Sequence, residues 1–284
     1  LKEMGAFSGW TLFVTIADVF VMQGLNILIN SFFTPVVNAA RGVAVQIQGA
    51  VDQFRGNLQT AFNPQITKQY AAGSYNEMFT LMYASAKYST FVMLFLSIPL
   101  MFSIDYVLNL WLVEVPKYTN IFLKLILISC IIDGISNPFV TAIGATGHIR
   151  RFQTIVGVVK LLLLPSCWII LLLGCAPEHL FILYLVGTLL VVFIRMKISS
   201  SAIGMKFEQL FFNIVFPIIK IAILCSVWCY CMHLFMRSNI FSFLMFCIEG
   251  AIGMLVIIYF VGLDNKEKKY IKSFIKRKYS NDFN

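Results

Sequence analysis

Apolar runs of about twenty residues, long enough to cross a bilayer core of roughly 30 Å as helices, recur eight times along this chain. They lie at approximately 9–31, 35–66, 78–104, 118–146, 152–173, 179–194, 210–236 and 240–262. The runs are continuous rather than alternating with period two, which predicts helices and not the strands of a membrane β-barrel. Breakers such as Phe33-Thr34-Pro35, Gly73-Ser74 and Ala176-Pro177 separate them. The same pattern rules out a water-soluble fold: 59% of the 284 residues are hydrophobic and 12% are charged, against about 45–50% and about 25% in soluble domains. The 27 Phe, 11 Tyr and 4 Trp exclude a disordered chain. A net charge of +9 could suggest nucleic acid, but no soluble segment is present to carry a basic patch, so nucleic acid is not an expected partner. The expectation is an all-α integral membrane protein with about eight transmembrane helices.

Lys and Arg placement predicts the orientation. With the N-terminus inside, the inner segments carry Lys2, Lys68, Arg150, Arg151, Arg195, Lys197, Lys206 and seven basic residues of the tail, whereas the outer loops carry Lys117 and Arg237. Fourteen against two is a positive-inside asymmetry that places both termini in the cytoplasm. In the tail, Tyr270, Ile271, Phe274 and Ile275 recur at helical spacing among the basic residues. This predicts an amphipathic helix on anionic lipids of the cytoplasmic leaflet. The seven cysteines fall in or beside predicted spans, which argues against a disulfide framework. Cys225, Cys229, Cys231 and His233 lie close together in sequence, but the plainer reading is small apolar thiols in a helix. No metal and no cofactor is expected.

The second span differs from the rest. On a helix, Arg41, Gln48, Asp52, Arg55, Gln59 and Asn63 fall on one stripe about 80° wide. A charge at mid-bilayer costs at least about 2.5–3.5 kcal/mol, so that stripe must face protein or a water-filled cavity. Asp52 and Arg55 can pair at i,i+3, leaving Arg41 unmatched within the helix and the stripe net positive. An arginine fork in a cavity suits a phosphate or diphosphate; the plainer alternative is that Arg41 and Arg55 snorkel or pair with neighbouring helices. Pro64 is expected to break the helix where it leaves the membrane. Asp18, followed by Gln23, Asn26 and Asn30, is the best candidate on the first span for lining the same cavity, with Asn26 beside it. Lys87, Lys124, Lys160 and Lys220 read as partly snorkelling. The run Asp133-Gly134-Ile135-Ser136-Asn137-Pro138 reads as a polar hinge, with Asp133, Asn137 and Pro138 its marked residues.

At this point a resemblance emerges. The run Pro35-Val36-Val37-Asn38-Ala39-Ala40-Arg41-Gly42, continuing to Asn63-Pro64-Gln65-Ile66, is similar to polysaccharide and O-antigen repeat-unit flippases. These belong to the multidrug/oligosaccharidyl-lipid/polysaccharide (MOP) exporter superfamily, whose fold is MATE-like. Residues 89–99, Leu110-Trp111-Leu112, Val115-Pro116, Tyr118-Thr119 and Ala145-Thr146-Gly147 extend the resemblance along most of the chain. It implies a six-helix lobe over 1–206, two additional transmembrane helices over 207–262 and a basic cytoplasmic tail over 263–284. It also implies that a first six-helix lobe belongs before this segment. The activity implied is not enzymatic. It is alternating-access translocation of polyprenyl-diphosphate-linked oligosaccharides across a bacterial inner membrane, for O-antigen, capsule or exopolysaccharide synthesis. The implied partners are the lipid-linked oligosaccharide and the polysaccharide polymerase machinery, and Arg41 and Arg55 would be cavity cations. A cation-coupled multidrug exporter of the same superfamily is the alternative within this fold. A membrane polymerase or glycosyltransferase is the alternative from another class, although the short outer loops leave it few places for catalytic residues. A purely structural membrane subunit is the remaining possibility.

Overall fold

Long apolar stretches in lipid have one economical solution, because every backbone N–H and C=O must find its partner inside the segment. The computed structural model of the chain describes residues 2–147, 149–236, 239–265, 267–269 and 273, with side chains from residue 9 onward. Its helices are α1 (Lys2–Phe32), α2 (Pro35–Ala71), α3 (Tyr75–Phe102), α4 (Ile104–Trp111), α5 (Thr119–Thr146), α6 (Ile149–Leu172) and α7 (Glu178–Ala202). Two more follow, α8 (Phe207–His233) and α9 (Ile240–Gly262). No strand occurs among the described residues. Seven of these helices, all except α2 and the short α4, are long and apolar enough to cross a membrane. The chain is an all-α, multi-pass membrane protein. At 37 residues, α2 is about 55 Å long, ample for a crossing, but its polar residues take it out of the apolar set.

The bundle is organised around α5, which packs against α2, α3 and α7. Outside α7 lies α6, and α1 packs along α6; on the other flank α8 rests on α3, with α9 against α8. Lipid supplies no hydrophobic drive between helices, so close approach and interdigitation must hold them together. Gly24 and Gly157 allow α1 and α6 to meet: a Cβ at Gly157 would stand 2.4 Å from the ring of Phe13, and one at Gly24 2.5 Å from Leu164. The main core holds Ile29, Ala40, Ala44, Phe122, Leu123 and Leu127, all fully buried, with Phe122 stacked on Phe181.

Two boundaries differ from the sequence expectation. Helix α2 does not break at Pro64 but continues to Ala71. Pro64 lies on the exposed side, where the carbonyl freed by its missing N–H has room to tilt outward. Helix α7 runs through to Ala202, so Arg195 is a helix residue inside the bundle and not a loop cation. Pro138 sits inside α5, which is helical on both sides of it. All seven cysteines are free thiols. The described residues contain no group of three or more His, Cys, Asp or Glu able to hold a metal, and the His233 ring packs on Phe102 and Phe246. The amphipathic tail positions Tyr270, Ile271, Phe274 and Ile275 lie outside the described residues.

Candidate functional site

Helix α2 turns its charged stripe inward. Arg41 is buried, and Gln48, Asp52, Arg55, Gln59 and Asn63 are all partly buried, facing mainly α5. The centre of the site is Asp133 on α5. Its carboxylate accepts from Arg55 of α2 through one oxygen and from Arg195 Nη1 of α7 through the other, the latter at 2.7 Å. Arg195 Nη1 also donates to Ser136 Oγ at 2.9 Å, and Arg55 Nη2 lies 2.9 Å from Asp52 Oδ1. One aspartate therefore ties three helices together, with a second carboxylate flanking the first arginine. Gln48 of α2 and Tyr184 of α7 both border the cavity beside this cluster.

A second ion pair closes the α1–α6 side, where Lys160 Nζ donates to Asp18 Oδ1 at 2.6 Å. Asp18 keeps 51% of its side chain exposed, while Lys160 keeps 18%. Between the two pairs lies a small cavity of about 110 Å³, bordered by Asp18, Gln48, Asp52, Asp133, Lys160 and Arg195 among others. Several waters fit in such a volume; an oligosaccharide does not. Three carboxylates (Asp18, Asp52, Asp133) face three cations (Arg55, Lys160, Arg195), so the cluster is balanced in charge rather than net positive.

The remaining predicted residues separate into two groups. Asn63 accepts from Thr141 Oγ1 of α5 at 2.9 Å, and Gln59 Nε2 is buried without a partner among the described residues. Both extend the α2–α5 seam toward the basic end. Arg41 lies apart from the cavity. It is 5% exposed, donates to the side chain of Asn26 on α1 and reaches the Met22 carbonyl at 2.9 Å. Arg41, unmatched within its own helix, is thus matched by neutral acceptors on α1, the neighbouring-helix alternative, and Asn26 is its partner and does not border the small cavity. Of the hinge candidates, Asp133 carries the ion network, Pro138 is buried and Asn137 is partly buried.

Sequence reasoning missed Arg195, Tyr184 and the role of Lys160. Arg195 was counted as a loop cation because hydropathy falls at its position, and no local spacing links it to Asp133, 62 residues away. The available signal was Asp133 itself, since an aspartate at membrane depth requires a basic partner and Lys124, the one cation on α5, lies nine residues away along the helix.

α2 has a second face. Ala39, Gly42, Gln46, Gly49, Gln53, Asn57, Thr60 and Pro64 are exposed and cluster about 120° around the helix from the charged stripe. No atom of another element comes within 4 Å of a Cβ built at Gly42, Gly49 or Gly56.

No known protein family, curated protein or solved structure matches the chain.

Proposed function

We propose that this chain forms one transport lobe of a flippase for polyprenyl-diphosphate-linked oligosaccharides. The observation that carries the reading is the outer face of α2. A helix of bilayer-crossing length exposes Gln46, Gln53, Asn57 and Thr60 along one stripe. Each unpaired amide in hydrocarbon costs several kcal/mol. Such a stripe is stable only against water or against further polar helices, which is the condition of a translocation pathway wall. The glycines on it keep the wall low, leaving room for a bulky substrate.

The inner face supplies the chemistry. Arg55 and Arg195 share Asp133, and a diphosphate entering between α2 and α7 would offer the same bidentate acceptor that Asp133 now provides. Pro138 follows Asp133 by just over one turn on α5, so a flexion there would part the arginines from their carboxylate. Alternating access in this reading is exchange of counterion: Asp133 holds the closed arrangement, and the substrate's phosphates hold the open one. The site would be in the bacterial inner membrane, with the basic end of the bundle and both termini in the cytoplasm.

The test is genetic and chemical together. In cells whose surface glycan depends on this protein, Arg195→Ala and Arg55→Ala should abolish the polymer while lipid-linked repeat units accumulate on the cytoplasmic leaflet. Normal polymer from membrane-inserted variants would refute the role. A second reading has its own observation in the half-exposed Asp18 and the charge-balanced cavity, which also suit a cation-coupled drug exporter. Loss of drug resistance with unaltered glycan on Asp18→Asn would favour that reading.

A further inference from the structure

We propose that the basic end of the bundle carries a headgroup site for an anionic glycerophospholipid, in the groove between the start of α6, the end of α7 and Trp10 of α1. The inference is independent of the transport reading and needs only that the chain sits in a membrane. The groove has a volume of about 950 Å³, and Arg150, Arg151 and Lys197 line it. All three are exposed. They contrast with Arg55, Lys87, Lys160 and Arg195, each of which has a carboxylate partner. Among the described residues no carboxylate pairs with Arg150, Arg151 or Lys197. Two of these cations occupy the first turn of α6, which contains no acid, so they add to one another's charge rather than being neutralised locally.

The rest of the groove has the character of a lipid–water boundary. The Arg150 guanidinium lies over the Trp10 ring, 5.2 Å from its centroid, which orients the charge at the rim and places an indole where interfacial aromatics settle. Ile143, Phe152, Ile155 and Ile198 form an apolar floor, and Thr154 and Ser201 contribute hydroxyls at the edge. A cationic rim over an apolar floor complements one molecule with a phosphate head and an acyl body. Basic pockets between helices on the cytoplasmic side commonly hold such headgroups. None of the groove's residues borders the charged cavity between α2, α5 and α7, which favours a membrane phospholipid over the transported lipid diphosphate.

Native mass spectrometry of the full chain in neutral detergent tests this, using phosphatidylglycerol, phosphatidylcholine and undecaprenyl diphosphate as three separate probes. The wild type should retain one phosphatidylglycerol in preference to phosphatidylcholine. Each cation near a headgroup is worth about fivefold, so R150Q/R151Q/K197Q should weaken retention about a hundredfold. R150K/R151K, which keeps the charge, should preserve most of it, and K268Q/K269Q beyond α9 should leave it unchanged. If the triple variant does not fold, as judged by circular dichroism, Lys197→Gln alone should show the fivefold loss. Equal retention of phosphatidylcholine, equal binding by the glutamine variants, or loss in the lysine variant as large as in the glutamine variants would overturn the proposal. So would displacement of phosphatidylglycerol from this groove by equimolar undecaprenyl diphosphate, which would make it a substrate station.

Discussion

Asp133→Asn is the perturbation that interrogates the bundle most directly. The change keeps shape and volume, and one amide oxygen can still accept a hydrogen bond. It removes the charge that Arg55 and Arg195 share. With charge centres about 4 Å apart and an effective dielectric near 20, each contact is worth about 4 kcal/mol before the cost of drying both partners is subtracted. Removing one member of a buried pair typically costs about 3–5 kcal/mol, because the remaining charge stays desolvated. Here two guanidinium groups are left, although Asp52 still faces Arg55 at 2.9 Å and shields part of the loss. The expected cost is therefore about 3–5 kcal/mol and falls mainly on Arg195, which has no other carboxylate partner among the described residues. Adding Arg195→Gln to Asp133→Asn restores the charge balance and should return about half of the lost stability, a coupling that a double-mutant cycle isolates. The assay is unfolding of the purified chain in mixed micelles on titration with a denaturing detergent, followed by near-ultraviolet circular dichroism. Asp133→Asn as stable as the wild type, or additive effects in the cycle, would refute the three-helix clamp.

Other expectations test neighbouring features. Gly253→Ala should loosen α9 from α8, because the new Cβ would lie 2.0 Å from Trp228 Nε1; overpacking of this kind costs about 1–3 kcal/mol, readable as a lower unfolding midpoint. Gly49→Ala meets nothing within 4 Å and should gain about 0.5–1 kcal/mol from helix propensity while slowing transport if that face borders the pathway. Arg41→Met should act through packing: a loss of about 1.5–3 kcal/mol from its charge-assisted bonds to α1, and under the proposed function transport per folded molecule should be retained. The residues after α9 carry a pH dependence. Burial alone would raise the Glu267 carboxyl. Hydrogen bonds from Lys87 Nζ, the Asp264 backbone N–H and the Tyr88 hydroxyl, with the Lys87 charge, outweigh it and hold the group below its ordinary value. A depressed carboxylate contributes stability above its unfolded pKa and loses it as pH falls through the folded one. Acidification below the ordinary glutamate range should therefore free this segment from α3. Amide exchange at Lys268 and Lys269 would report the release, and Glu267→Gln should abolish its pH dependence.

How much of this was legible beforehand depended on whether the physics was local. Helix type followed from residue composition, because the bilayer leaves a chain few alternatives, whereas eight spans were expected and seven helices are long and apolar enough to cross, the polar α2 falling outside that set. The inward burial of Gln48, Asp52, Arg55, Gln59 and Asn63 also followed from their helical spacing. Their partners did not follow. Asp133 lies 78 residues from Arg55 and 62 from Arg195, and only the packing of α2, α5 and α7 defines those pairs. For Arg41 both a cavity and a neighbouring helix were open, because counting charges on its own helix could not reveal a neutral carbonyl and an amide on α1. The outer face of α2, with Gln46, Gln53 and Asn57, was not singled out, because these neutral amides carry no charge to mark a second stripe beside the first.

Having two such stripes constrains what α2 can do. A helix buried on both faces would be a fixed strut, and one exposed on both could not remain associated with the bundle. α2 instead buries its charges against α5 and leaves its amides outward, so rotating the helix by about 120° would exchange one polar face for the other. Rotation in lipid alone would expose Asp52 and Arg55 to hydrocarbon at several kcal/mol and should not occur. With water or polar helices on the outer side the same motion costs little, since both faces then remain solvated or paired. Attaching a spin label at Gln53 and another at Thr188 on α7 would follow the movement. If α2 rotates when the arginines leave Asp133, adding the lipid diphosphate should change the distance distribution in the wild type and leave it unchanged in Arg195→Ala, which has already lost the α7 end of the clamp.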